Sequence, residues 1–87
     1  MSKIIKKVEM RGMPRSDLVA YFVSIGGHAI GNKKYLGEQW EVEIDKEEVC
    51  SLGVIKVPCT RIIFCVEEEA LDEMMYQFRL KFLSAGG

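Results

Sequence analysis

The sequence has little of what catalytic and metal sites are usually made of. It holds one histidine, His28, and three cysteines that form no Cys-x-x-Cys pair. These residues give neither the ligand spacing of a zinc site nor the histidine, nucleophile and acid of a catalytic constellation. From the residues alone we expect no catalytic residue, no metal and no cofactor.

Long apolar runs and a strong net charge are also missing. The formal net charge is −1, and the longest mostly apolar stretch, residues 18–30, is broken by serine, glycine and histidine. About 20 apolar residues are needed to cross a bilayer, and the first residues lack the apolar segment of an export signal. We expect a cytoplasmic protein that binds neither a membrane nor a nucleic acid.

Length and composition indicate a single folded unit. The chain has 87 residues, of which 48% are hydrophobic and 29% charged, as is typical of globular domains. A second hydrophobic core does not fit in this length, so we assign residues 1–87 to one domain. The charges are unevenly spread, with a basic excess in residues 1–34 and an acidic excess in residues 35–73. This distribution indicates a basic and an acidic end, or only solvated outer faces.

The three cysteines, Cys50, Cys59 and Cys65, are an odd number in a chain without an export signal. Such a count predicts free thiols in a reducing compartment. Cys50 and Cys65 fall in predicted strands and are expected to be partly buried and inert. Cys59 falls in a predicted turn and is expected to be the most exposed and reactive of the three.

Hydrophobic periodicity predicts strands and a helix in the first half of the chain. Residues 3–11 alternate between charged and apolar positions, which is typical of a half-buried strand. A helix is predicted over residues 14–25, beginning at a proline and ending at a pair of glycines. A Gly-Asn dipeptide at residues 31–32 indicates a two-residue hairpin turn, followed by a long strand that ends in the alternating residues 40–45.

The second half adds two strands and a helix. Strands are predicted over residues 48–57, with a bulge at Gly53, and over residues 60–67, after a turn at Pro58 and Cys59. The last helix has an acidic first turn and a continuous apolar stripe. The order β-α-β-β-β-β-α predicts an α+β fold, in which two helices pack on one face of one antiparallel sheet.

The order and spacing of residues along nearly the whole chain resemble a known family. The residues that carry the resemblance are Pro14, Leu18, Tyr21, Gly26, Gly27, Tyr35, Val42, Gly53, Pro58, Arg61, Glu68, Glu69, Ala70, Ser84, Ala85, Gly86 and Gly87. In these positions the chain resembles the C-terminal domain of MoaD-related proteins, which are relatives of the molybdopterin synthase small subunit. The resemblance implies a fold like one half of the TATA-box-binding protein.

The resemblance also implies a function and a partner. It indicates a non-enzymatic accessory or binding domain associated with the biosynthesis of molybdopterin, for the molybdenum or tungsten cofactor. In fused relatives a ubiquitin-like sulfur-carrier domain precedes this module, and we expect that domain to be missing from this chain. We therefore expect a separate protein partner, either a sulfur carrier or an enzyme of the cofactor pathway. DNA binding does not follow from the fold, because function lies in particular sites.

The final glycines, Gly86 and Gly87, are a candidate carrier tail. Sulfur carriers of the molybdopterin and thiamine pathways end in diglycine, because an unbranched tail can enter an adenylating enzyme and its carboxylate can become a thiocarboxylate. On this alternative the chain is itself a sulfur carrier. The structural alternative is that Gly86 only ends the last helix.

Arg61 is a candidate ligand of a small anion, since its planar guanidinium suits phosphate or carboxylate. It is predicted on the sheet face away from the helices, near Lys7 and Arg11 if the first and last strands are neighbours. The alternative is a cross-strand ion pair with Glu41 or Glu43.

The same face is a candidate partner surface. Its predicted apolar residues are Ile5, Tyr35, Val49, Ile63 and Cys65. If they cluster, they favour a homodimer or a protein partner, and if they are scattered singly they have no such meaning. His28 is interpreted as a surface or strand-edge residue, with a catalytic role as the alternative.

Overall fold

The predicted α+β class and layout are confirmed. The computed structural model describes the backbone of residues 2–86 and the side chains of residues 2–82. Its elements are β1 (Lys3–Arg11), α1 (Arg15–Ser24), β2 (His28–Ile30), β3 (Lys34–Leu36), β4 (Trp40–Ile44), β5 (Glu48–Leu52), β6 (Ile55–Glu67) and α2 (Leu71–Gly86). A short 3₁₀ turn over Glu68–Ala70 joins β6 to α2. No helix in the described part of the chain is long and apolar enough to cross a bilayer.

Strand β6 is the centre of an antiparallel sheet. β1 pairs with one of its edges, from Lys3 opposite Glu67 to Arg11 opposite Cys59. β4 and β5 pair with successive parts of its other edge, and β3 and β2 continue the sheet beyond β4. Because paired residues point to the same face and successive residues alternate, the register assigns each side chain of a strand to one face.

The inner face of the sheet, which the two helices cover, holds the hydrophobic core. The even-numbered residues of β4 and most of those of β6 point to it, and the core residues of these strands are almost all fully buried. The core residues of the helices are Leu18, Tyr21, Phe22, Met74, Met75, Phe78 and Phe82. The ring of Phe22 lies 5.7 Å from that of Phe64 and 6.0 Å from that of Phe78, so one aromatic cluster joins both helices to the sheet. The predicted apolar stripe of the last helix is confirmed for its core residues, but Tyr76 and Leu80, which the sequence places at its side, are 57% and 46% exposed.

The predicted end of the first helix at two glycines is also confirmed. Gly26 has a φ of +99°, in the left-handed region that glycine adopts without a steric penalty. The N–H of Gly27 donates to the carbonyl of Phe22 at 2.8 Å, and the N–H of Gly26 donates to that of Val23 at 3.1 Å. These two bonds form a Schellman motif, which satisfies carbonyls that the helix leaves without a partner.

The hairpin that contains β5 differs from the prediction. Its turn lies at Gly53 and Val54, and β6 runs without interruption through Pro58 and Cys59. Gly53 has a φ of +64°, which suits a tight turn, and this turn replaces the predicted bulge. Pro58 is tolerated in the strand because it lies just beyond the last residue pair of the β1–β6 ladder, on the side to which its missing N–H would point, and its carbonyl accepts the N–H of Gly12 at 2.7 Å.

The strand predicted up to residue 45 is in fact two strands. The N–H of Gly37 donates to the carbonyl of Trp40 at 2.8 Å and closes a turn, so β3 and β4 run antiparallel. The predicted hairpin at residues 31–32 is present, with a loop of residues 31–33 between β2 and β3. The described part of the chain therefore has one strand more than the sequence predicted.

Arg15, the first residue of α1, ties this helix to the loops at one end of the sheet. Its guanidinium donates to the carbonyls of Asn32 at 2.9 Å, Ile44 at 3.1 Å and Asp45 at 3.0 Å. Its backbone N–H donates to a carboxylate oxygen of Glu47 at 2.7 Å. One side chain therefore connects α1 to the β2–β3 loop and to the end of β4.

Candidate functional site

The outer face of the sheet, on the side away from the helices, is the candidate functional surface. The pairs that β1 and β6 place on it are Lys3–Glu67, Ile5–Cys65, Lys7–Ile63, Glu9–Arg61 and Arg11–Cys59. β4 adds two acids, Glu41 and Glu43, on the other side of β6. The outer face thus joins a mainly basic strand, a central strand with apolar residues and an acidic strand.

A shallow hollow of about 360 Å³ lies beside Arg61 on this face. The residues that line it are Lys7, Val8, Glu9, Asp45, Arg61, Ile62 and Ile63. Because β1 and β6 are neighbours, the register places Lys7 and Arg61 on the same face at its rim. Arg61 is exposed, and it takes part in no ion pair within residues 2–82.

The acidic neighbours of Arg61 differ from those that the sequence predicted. Glu9 lies directly opposite Arg61, whereas Glu41 and Glu43 are paired with residues further along β6. The carboxylate of Glu9 accepts a hydrogen bond from Nε of Arg11 at 3.1 Å. Arg11 is therefore engaged beside the hollow, and Lys7 and Arg61 are the cations that line it.

Two residues predicted on the outer face lie on the inner one. Tyr35 is paired with the fully buried Val42 and packs against the core. Val49 is paired with Pro58 and points to the inner side, where it is 71% exposed. Both predictions were wrong because the turns before and after these strands were predicted at the wrong residues. In β3 and β5 the odd-numbered side chains therefore point to the inner face and not to the outer one.

The other predicted apolar residues form a small group on the outer face. Ile5 is 63% exposed and is paired with Cys65, and Ile63 follows two residues away along β6. We call Ile5, Ile63 and Cys65 the outer apolar patch. A homodimer through this patch stays a prediction, which sedimentation at low micromolar concentration checks, since a clean monomer would contradict it.

Cys50 and Cys59 form a disulfide between β5 and β6. The prediction of free thiols is wrong for this pair, and so is the prediction that Cys59 is exposed in a turn, because it lies in β6 and is only 5% exposed. Cys65 is a free, half-buried cysteine. A carboxylate oxygen of Glu9 and the two sulfur atoms of the pair all lie within 4.8 Å of one another. Two cysteines and one carboxylate thus meet at this end of the sheet, and the cysteines can bind a metal only when the disulfide is reduced.

Sequence reasoning missed this cluster because it placed the hairpin turn at the wrong residues. With the turn after Leu52, Cys50 is opposite Val57, and Cys59 lies diagonally across from it. The signal that could have revealed the pair is a glycine placed almost midway between two cysteines. Glu9 joins them only through the pairing of β1 with β6, which no local pattern reports.

The remaining sequence candidates lie apart from this end of the sheet. His28 is exposed in β2, at the edge of the sheet, and its partner in the register is Leu36, which is neither a nucleophile nor an acid. Gly86 is the last residue of α2, and Gly87 lies outside the described residues.

The fold and the outer face define a class of protein, a small α+β module with one sheet face covered by helices and the other open. Residues 6–87 match the family described as archaeal MoaD-like protein, and the chain belongs to this family. No curated protein and no solved structure gave a significant match. Membership of a MoaD-like family supports an association with molybdopterin biosynthesis.

Proposed function

We propose that this chain is a non-enzymatic accessory domain of molybdopterin biosynthesis and that the outer face of its sheet binds a partner protein. The family supports the pathway, and the sheet face that the helices leave open is the single observation that supports the binding role. The partner we propose is the ubiquitin-like sulfur carrier of the pathway, because fused MoaD-related proteins join such a domain to a module that resembles this one.

The outer face has the arrangement of a small interface. The outer apolar patch lies on β6 and the neighbouring edge strand β1, and charged residues of β1 and β4 surround it. An apolar centre with a polar rim is typical of protein interfaces. Ile5 is 63% exposed in the free chain, so covering it with a partner stabilises the complex by about 1 to 2 kcal/mol.

The charges on the two sides of the patch give the partner an orientation. On the β4 side the outward residues are Glu41 and Glu43. On the β1 side the outward charged residues are Lys3, Lys7, Glu9 and Arg11. Complementary charges guide the approach and the orientation of a partner more than they add to its affinity.

The proposal is tested by titrating isotope-labelled protein with the purified ubiquitin-like sulfur carrier of the same source and recording amide NMR shifts. We expect the shift changes on β1, β6 and β4. Ile5→Asp is expected to weaken binding about tenfold or more, because it places a charge in the outer apolar patch. The matched control is Val23→Asp, the same kind of change at a residue of α1 that is 52% exposed.

Three results would contradict this proposal. Shift changes confined to α1 and α2 would move the interface to the helices. Equal losses of affinity in Ile5→Asp and Val23→Asp would show that the outer apolar patch has no special role. The absence of any shift change at the highest soluble concentration would exclude the sulfur carrier as the partner.

A second candidate function is the binding of a small phosphorylated ligand, such as a phosphorylated pterin, in the hollow beside Arg61. The observation that favours it is that Lys7 and Arg61 line one hollow of about 360 Å³. Glu9 and Asp45 line the same hollow and repel an anion, which reduces the attraction of the two cations. For this reason we place protein binding first.

Titration with a phosphorylated pterin tests the second candidate. We expect amide shift changes at Lys7, Arg61 and Ile63, and their loss in Arg61→Gln. The matched control is Arg79→Gln, which removes an exposed arginine of α2. Unchanged amide shifts around the hollow would remove the ligand-binding function.

A further inference from the structure

We propose that Cys50 and Cys59, once reduced, and the carboxylate of Glu9 form a binding site for one thiophilic divalent cation, of which Zn²⁺ has the matching chemistry. The site lies at the end of the sheet where β1, β5 and β6 meet. It is independent of the binding role proposed above, and either proposal can fail without the other.

The three ligand atoms lie close enough to meet on one ion. The two sulfur atoms and a carboxylate oxygen are all within 4.8 Å of one another. In a tetrahedral site with zinc–sulfur bonds of about 2.3 Å and zinc–oxygen bonds of about 2.1 Å, neighbouring ligand atoms are roughly 3.6 to 3.8 Å apart. Once the sulfur–sulfur bond is broken, small side-chain rotations bring the three atoms to this spacing.

The three ligands are buried to different degrees, from a buried cysteine to an exposed glutamate. Cys59 is 5% exposed and is held between β1 and β5, which pair with opposite edges of β6. Cys50 is half-buried and Glu9 is exposed. A cation therefore reaches the deep sulfur atom from solvent, and the fourth position of a tetrahedral ion is left for water.

The ligand set selects the class of cation. Thiolates are soft ligands that bind Zn²⁺, whereas Mg²⁺ and Ca²⁺ bind almost entirely through oxygen. Two thiolates and one carboxylate leave a bound Zn²⁺ with a local charge of −1. Arg11 offsets this charge, because it lies opposite Cys59 in the register and contacts Glu9.

The ion pair between Arg11 and Glu9 does not block the site. Nε of Arg11 is 3.1 Å from Oε1 of Glu9, and the two side chains are 56% and 38% exposed. Ion pairs between such exposed groups are weak in water. Glu9 can therefore turn one carboxylate oxygen to the cation while the other stays near Arg11.

Binding requires the dithiol form of the pair. A dithiol reductant transfers two electrons and two protons to the disulfide, which becomes two thiols while the reductant becomes a disulfide. Zn²⁺ then replaces the two thiol protons, which pass to solvent, and two zinc–sulfur bonds form. The oxidised protein offers no thiolate at this position and does not bind the ion there.

The first test uses the full chain, reduced with a water-soluble phosphine that is removed before titration with Co²⁺ as a spectroscopic probe. We expect one Co²⁺ per chain, with thiolate-to-cobalt charge-transfer absorption that Zn²⁺ abolishes by displacement. The oxidised protein is expected to show no such absorption. Absence of this absorption in the reduced protein would overturn the proposal.

Variants assign the ligands. Cys50→Ser is expected to lose the two-thiolate absorption, and Glu9→Gln to bind Zn²⁺ roughly tenfold or more weakly. Cys65→Ser is the matched control and is expected to keep the absorption and the stoichiometry. An unchanged affinity in Glu9→Gln, or a loss of absorption in Cys65→Ser, would overturn the assignment.

A measurement on the natural protein keeps the test independent of how the variants fold. Zn²⁺ is expected to slow the alkylation of Cys50 and Cys59 in the reduced protein and to leave that of Cys65 unchanged, as read by peptide mass spectrometry. Equal protection of all three cysteines, or protection of none, would contradict the site.

Discussion

Tyr21 lies where the two helices meet over the sheet. Its ring is 5.2 Å from that of Phe22, 5.8 Å from that of Phe78 and 5.2 Å from that of Phe82. The residue is 8% exposed, and burial raises the pKa of its hydroxyl above the ordinary value of 10.0. The cause is desolvation, because the charged phenolate loses contact with water in this position.

We expect Tyr21 to make the fold sensitive to alkaline pH. Since its pKa is higher in the folded protein than in the unfolded chain, its contribution to stability is fully present below the unfolded-state pKa. That contribution is lost as the pH rises through the folded-state pKa. Urea unfolding over a series of alkaline pH values should show a smaller loss of stability for Tyr21→Phe than for the natural protein.

The matched control for this prediction is Tyr76→Phe. Tyr76 is 57% exposed on α2, so the same loss of a hydroxyl can be compared at a buried and at an exposed tyrosine. Equal effects of the two substitutions would contradict the role of burial at Tyr21.

Among the elements, α1 depends on Arg15 for its attachment to the end of the sheet. Arg15→Ala removes the three hydrogen bonds that the guanidinium donates to backbone carbonyls, so we expect the free energy of unfolding to fall by about 2 kcal/mol. Arg15→Lys should recover less than half of this loss, because a single ammonium group does not reproduce the planar fork of arginine. Urea denaturation measures both values.

Arg79→Ala is the control for this comparison. Arg79 is exposed on α2, and its removal is expected to change the free energy of unfolding by about 0.5 kcal/mol or less. A lysine variant at Arg15 as stable as the natural protein would show that the shape of the guanidinium has no importance there.

The β5–β6 hairpin shows how one misplaced turn changes a site. The predicted turn at Pro58 and Cys59 puts Cys50 in a strand and Cys59 in the turn that follows it, whereas the turn at Gly53 places the two cysteines on adjacent strands. The same change moves Val49 to the inner face. Proline is a frequent turn residue, but Pro58 lies beyond the last pair of the β1–β6 ladder, where its missing N–H removes no bond within that ladder, so the strand continues through it.

In the whole molecule, the basic and acidic parts of the sequence correspond in part to separate regions of the surface. The outward residues of β1 are mainly basic and those of β4 are acidic, but β6 alone separates the two strands. The basic and acidic regions are therefore neighbours on one face. The likeness to half of the TATA-box-binding protein, the assignment of residues 1–87 to one domain and the cytoplasmic location stay predictions.

The carrier hypothesis also concerns the whole molecule. Gly86 belongs to α2, whereas activation by an adenylating enzyme needs an extended carboxyl-terminal segment that enters the active site. After incubation with the adenylating enzyme, ATP and a sulfur donor, we therefore expect no change in the intact mass of this chain. The ubiquitin-like sulfur carrier, treated in the same way, is the positive control. A mass gain that matches the replacement of one oxygen by sulfur would identify the chain as a carrier.

The sequence by itself determined the features whose signals are local. The alternation in β4 and β6, the end of α1 at Gly26 and the apolar stripe of α2 each depend on residues a few positions apart. Such residues share a strand face or a helix face because of the repeat of the backbone, so a pattern in the sequence reports them. The α+β class and the covered inner face follow from these elements.

Only the tertiary structure decided the content of the outer face. Glu9 meets Cys50 and Cys59 because β1 and β5 pair with opposite edges of β6, and Arg61 faces Glu9 because β1 pairs with β6. These residues are distant in the sequence, and their contacts depend on strand order and register. Order and register follow from the packing of the entire sheet, which local periodicity does not encode.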